Sequence, residues 1–94
     1  SLYPSSDIDL AFIVDDEVAA TMVARSLSKA GGDLLQSVEL FDVFRSDQVG
    51  EGRRSLAYRL RLQASDRTLT DAEVADVRQR CIDAVAKSNG GQLR

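Results

Sequence analysis

Residues 41–62, FDVFRSDQVGEGRRSLAYRLRL, decide the fold. In the second half, Leu56, Tyr58, Leu60 and Leu62 alternate with Ser55, Ala57, Arg59 and Arg61. A period of two, apolar against polar, describes a strand with one packed face and one wet face. The first half is a second strand-like run, and a polar loop holding Gly50 and Gly52 joins the two. The stretch therefore predicts a hairpin and an antiparallel sheet. It is also oddly charged. Six of the twelve basic residues lie between positions 45 and 67, beside only three acids, for a net +3. The rest of the chain carries −6, within an overall −3, and Asp7 to Glu17 holds five acids and no base.

Working outward from the hairpin, Leu35 to Arg45 is the full extent of its first strand and Ser55 to Gln63 of its second. Upstream, IDLAFIV (Ile8 to Val14) reads as a strand that is apolar after Asp9 and hence central. Asp15-Asp16-Glu17 supplies an N-cap candidate and acids suited to the positive end of a helix dipole. Val18, Met22, Val23, Leu27 and Ala30 mark that helix's inner stripe, and Gly31-Gly32 stops it. Downstream, Thr70 with Glu73 three residues on is a capping box, and Leu69 with Val74 a hydrophobic staple. Val74, Val77, Cys81, Ile82 and Val85 face inward, Asn89-Gly90-Gly91 ends the helix, and QLR is left for a short fourth strand. Strand, helix, strand, strand, helix, strand predicts an α+β, ferredoxin-like βαββαβ sandwich. A four-stranded antiparallel sheet carries both helices on one face, because right-handed crossovers put them on the same side. The other face is left free.

Residues 1–94 are expected to form one domain, burying roughly 60 to 65% of the unfolded surface. No apolar run approaches the roughly 20 residues that span a bilayer, so no membrane role is expected. No basic-then-apolar leader opens the chain, and a start at Ser1-Leu2 suggests a piece of a longer protein. One cysteine forms no internal disulfide, and with no histidine the usual zinc patterns are missing. These features fit a reducing cytoplasm.

Four ordered blocks, YPSSDIDLAFIVDD, SVELFDVFR, GEGRRSLAYRLRL and DRTLTDAEV, together resemble the ferredoxin-fold anticodon-binding domain. That domain closes the beta subunit of bacterial phenylalanine-tRNA ligase, and the resemblance runs from Tyr3 to Arg94. It implies a fragment of a longer beta chain that works with an alpha subunit and other beta-chain domains. The whole would be a heterotetramer of two alpha and two beta chains. It implies no cofactor in this fragment, with ATP and Mg²⁺ used on the alpha subunit. The fragment would grip the anticodon of phenylalanine tRNA, chiefly its first base, a guanine. The base-reading residues of the family fall on Asp42 and Ser55. One departure is visible: the family commonly has Arg just before the Asp of the first strand, where this chain has Ile8.

The chemistry of these side chains agrees with that expectation. The Watson–Crick edge of guanine offers two adjacent N–H donors that one carboxylate accepts together, and a serine hydroxyl serves another edge atom. Ala57 leaves room for a base. Arg59 and Arg61 on the wet face, with Arg45, Arg53 and Arg54 around it, would meet phosphates while Asp42 reads the base. Plainer readings exist for each. Asp42 could pair with Arg45 or cap the loop, Ser55 could merely start a strand, and the arginines could be solvated charge. Phe41, Val43 and Phe44 are expected in the core or sheet packing rather than as stacking platforms. Asp42 and Phe44 share a parity, which leaves their face open and allows a bulge in that strand.

Other chemistries find little support. The carboxylates of Asp7 to Glu17 lack the glycine turn of a calcium loop. Cys81 falls on a buried helical stripe with no histidine to activate it. Gly50 and Gly52 flank a glutamate in a hairpin rather than cradling a phosphate. Two readings from other classes remain: a ferredoxin-like small-molecule regulatory module, and a structural docking module of a larger enzyme. Salt-dependent RNA binding separates both from the anticodon reading.

Overall fold

The computed structural model describes residues 2–94. Its elements are β1 (Ser6–Asp15), α1 (Ala20–Gly31), a 3-10 turn (Gly32–Leu34), β2 (Leu35–Phe44), β3 (Arg53–Leu62), α2 (Asp71–Asn89) and β4 (Gln92–Leu93). The strands are ordered β2-β3-β1-β4 and every neighbouring pair is antiparallel. β1 and β2, and β3 and β4, are thus separated by one strand, as two crossovers through helices require. Leu10, Phe12 and Val14 of β1 and Leu56, Tyr58, Leu60 and Leu62 of β3 pack in one buried cluster with Val23 and Leu27 of α1 and Val77, Cys81 and Val85 of α2. Both helices therefore cover one face, and the ferredoxin-like expectation holds.

Local rules account for most boundaries. At α2 the Thr70 hydroxyl accepts from the Glu73 N–H at 3.1 Å and the Glu73 carboxylate accepts from the Thr70 N–H at 3.1 Å, completing the capping box. Gly90 ends the helix in the left-handed conformation, with φ 64°. Gly91 follows where a Cβ would lie 2.6 Å from Val85 Cγ1, so the chain turns tightly and seats β4 against β1. The Tyr58 hydroxyl donates to the Ala20 carbonyl at 2.7 Å, and burial pushes its pKa up to about 12. Burial likewise raises the pKa of the Cys81 thiol.

Three expectations need correction. Asp15 to Glu17 do not cap α1. The β1–β3 ladder runs on to Asp15 opposite Arg53, so the helix begins later, at Ala20, with Ala19 as an uncapped N-cap and no acid in its first turn. Met22 is exposed rather than buried. Phe41, Val43 and Phe44 are exposed too, because β2 is an edge strand whose register slips at Gln36 and again at Phe41. The second slip is a bulge, which resolves the face that the shared parity of Asp42 and Phe44 left open. Ile8, where the family commonly has Arg, packs against the core.

Candidate nucleic-acid interface

The register arranges the open face in rows across the sheet. Two charged rows come first: Asp7 of β1 beside Arg61 of β3 and Ser37 of β2, then Asp9 beside Arg59 and Glu39. Arg61 donates to Asp7 through Nε at 3.1 Å and Nη2 at 3.3 Å, and Arg59 to Asp9 at 3.0 and 3.1 Å. These are side-on, two-pronged contacts of the kind that fixes a planar guanidinium. The Arg61 fork holds the Asp7 carboxyl below its usual range, and the facing carboxylates raise the pKa of Arg59 and Arg61. The acidic segment and the basic hairpin of the sequence are therefore neighbouring strands that neutralise each other.

Beyond the Phe41 bulge the face changes character. The next row reads Arg94, Ala11, Ala57, Asp42, and the one after it Gln92, Ile13, Ser55, Phe44. The bulge is what puts Asp42 opposite Ala57 and Phe44 opposite Ser55, on the same face as the arginines. Phe41, 44% exposed, lies under the Arg59 guanidinium at 4.7 Å and marks the border between the halves. Phe44, 39% exposed, lies under the Arg94 guanidinium at 4.5 Å.

Sequence reasoning paired Asp42 with Ser55, and the structure brings them together, in adjacent rows, with Ala57 beside them. Asp42 is exposed, and among the described residues its carboxylate makes no hydrogen bond or ion pair. The plain alternative, a pair with Arg45, is not formed, because Arg45 contacts Asp16 at 2.9 Å and the Arg53 carbonyl at 3.3 Å. Ser55 is 2% exposed, yet its hydroxyl makes no hydrogen bond within the described residues.

The other arginines are divided. Arg53 lies on the open face and donates to Gln92 Oε1 at 3.0 Å. Arg54 lies on the helix side of β3, its side chain 13% exposed. It donates to the carbonyls of Asp15 at 3.1 Å and Val18 at 2.9 Å, clamping the β1–α1 turn. Sequence reasoning missed Phe44 and Arg94 as members of this site. The bulge was the available signal for Phe44. Nothing local pointed to Arg94, which reaches the site only through β4. Among the described residues no group of three or more His, Cys, Asp or Glu could hold a metal ion, and no helix is long and apolar enough to cross a membrane.

Comparison with known proteins identifies the family. The chain is 49% identical over all 94 residues to the phenylalanine-tRNA ligase beta subunit of Thermobifida fusca and 46% identical to that of Trichormus variabilis. It is 42% identical over 92 residues, 98% of the chain, to that of Geobacillus kaustophilus. It spans only 11%, 12% and 11% of the length of these relatives. A family model described as the ferredoxin-fold anticodon binding domain matches residues 1–94. The chain belongs to the ferredoxin-fold anticodon-binding domain family.

Proposed function

We propose that this domain binds the anticodon of phenylalanine tRNA as part of a phenylalanine-tRNA ligase beta chain, and that the slot at Asp42, Ser55 and Ala57 holds the first anticodon base, a guanine. The observation that carries this reading is a pair of groups side by side that make no hydrogen bond within the described residues: the exposed Asp42 carboxylate and the hydroxyl of the little-exposed Ser55. Asp42 accepts from the N1–H and N2–H of guanine, Ser55 bonds a second edge atom, and Ala57 forms a floor flat enough for a ring. Phe44 stands beside that floor as a stacking surface. Arg45 and Arg53, on the rim, face the phosphates. Arg59 and Arg61 act by holding the shape of the face, since Asp9 and Asp7 match their charge, and Arg54 holds the turn beneath it. Amino-acid activation with ATP and Mg²⁺ belongs to the alpha subunit of a cytoplasmic heterotetramer of two alpha and two beta chains.

The test compares kcat/KM for aminoacylation by the full ligase, as wild type and Asp42→Ala, on phenylalanine tRNA carrying guanine or adenine as first anticodon base. A loss of roughly 10- to 100-fold with guanine, vanishing with adenine, is the expected result for a two-pronged base contact. Equal activity on both tRNAs in wild type and variant overturns the base reading and leaves a docking module.

A further inference from the structure

Asp42 and Arg94 stand at opposite ends of a single row, with Ala11 and Ala57 between them. Arg94 is tied to that row by its backbone: its N–H donates to the Ala11 carbonyl at 2.8 Å. Three interstrand steps put the two backbones about 14 Å apart. The two side chains carry opposite charge and share a face, with only alanines between them in their row, yet they form no ion pair, and among the described residues neither has a carboxylate or guanidinium partner elsewhere. The guanidinium rests instead against the Phe44 ring at 4.5 Å. The slot thus has an acceptor end, a donor end, a small-residue floor and an aromatic side wall.

We infer that Arg94 is a second base-reading residue, whose guanidinium fork takes the O6 and N7 acceptors of the guanine held by Asp42. This rests on the guanine reading above and adds to it a contact on a different edge. The two contacts are compatible: in a duplex, guanine offers O6 and N7 to an arginine while its Watson–Crick edge is fully engaged by cytosine. Asp42 here takes the place of that partner. On binding, the base ring replaces the guanidinium against Phe44, and the guanidinium moves from the ring face to the base edge. Before binding, Arg94 covers an exposed aromatic that would otherwise lie bare. Adenine, with an amino donor in place of O6, would face the fork with a donor and is rejected at both ends.

Atom-level substitution of the base separates the two ends. The full ligase is assayed with phenylalanine tRNA carrying guanine, 7-deazaguanine (no N7 acceptor) or inosine (no N2–H donor) as first anticodon base. The expected wild-type result is a loss of kcat/KM of about 5- to 10-fold with each analogue, for one hydrogen bond of a two-pronged pair. Arg94→Ala should lose roughly 10-fold with guanine and show no further loss with 7-deazaguanine, while still penalising inosine. Arg94→Lys keeps the charge without the fork and should also lose the 7-deazaguanine penalty; an unchanged melting temperature in both variants shows that β4 remains seated. A 7-deazaguanine penalty that persists in Arg94→Ala overturns the inference. So does a wild type that penalises inosine but not 7-deazaguanine, which leaves the Asp42 contact standing alone. A wild type that distinguishes neither analogue nor adenine overturns the guanine reading itself, and this inference with it.

Discussion

The two halves of the open sheet face share strands, backbone geometry and solvent, and differ in what their side chains have found. On one side of Phe41, each arginine of β3 meets a carboxylate of β1 directly opposite, so the charges are matched within the molecule. On the other side, a carboxylate, a hydroxyl and an arginine surround two alanines without meeting. The rows of the first half carry more charge, but the unmatched groups lie in the second. Cationic residues clustered along a chain do not mark a binding surface until the neighbouring strand is known.

That contrast can be broken from beneath. Phe12 is fully buried in the core that both halves share, so Phe12→Ala should lower stability by about 3–5 kcal/mol and abolish both behaviours together, as read by chemical denaturation. Next comes the split itself. Asp42→Ala should reduce guanine-dependent kcat/KM by roughly 10- to 100-fold with little change in melting temperature. Asp9→Ala should do the opposite, leaving kcat/KM within about 2-fold while the melting temperature falls slightly, since exposed pairs contribute little. A large activity loss in Asp9→Ala would merge the halves.

Two smaller effects sharpen the comparison. Arg53→Ala should make tRNA binding less salt-dependent by about one phosphate contact, a change of roughly 0.7 in the slope of log K against log salt, while Arg59→Ala should leave the slope unchanged. The matched half should also show in acid. The Asp7 carboxyl is held below its ordinary 3.8 by Arg61, so the stability it contributes is present above that value and is lost as pH falls below it. Glu73, held at about 2 by Arg67 and the Thr70 N–H against an ordinary 4.5, adds a second loss between those values. Melting curves of Asp7→Asn and Glu73→Gln should each be flatter across their window than wild type.

Much of the fold was legible. The period-two pattern of β3, the capping box of α2 and the cysteine on its inner stripe all follow from local rules, and all stand in the structure. The start of α1 was not, because three consecutive acids look like a cap while the ladder to β3 continues through Asp15. Asp42 and Ser55 were named as candidates by the resemblance, with their residue types in agreement, and the structure sets them in adjacent rows. Their surroundings were not legible.

The sequence alone specifies the order of elements and the packed face of β3, because periodicity and capping act over a few residues. It also placed the family resemblance in four ordered blocks. Only the tertiary structure decided which charges are free. Pairing Asp7 with Arg61 and Asp9 with Arg59 spans 54 and 50 residues and depends on register. The bulge at Phe41 turns Asp42 and Phe44 toward the open face, and the tight passage at Gly91 carries Arg94 to the far end of their slot. Register and the pairing of distant charges are properties of strands packed together, and no local pattern encodes them.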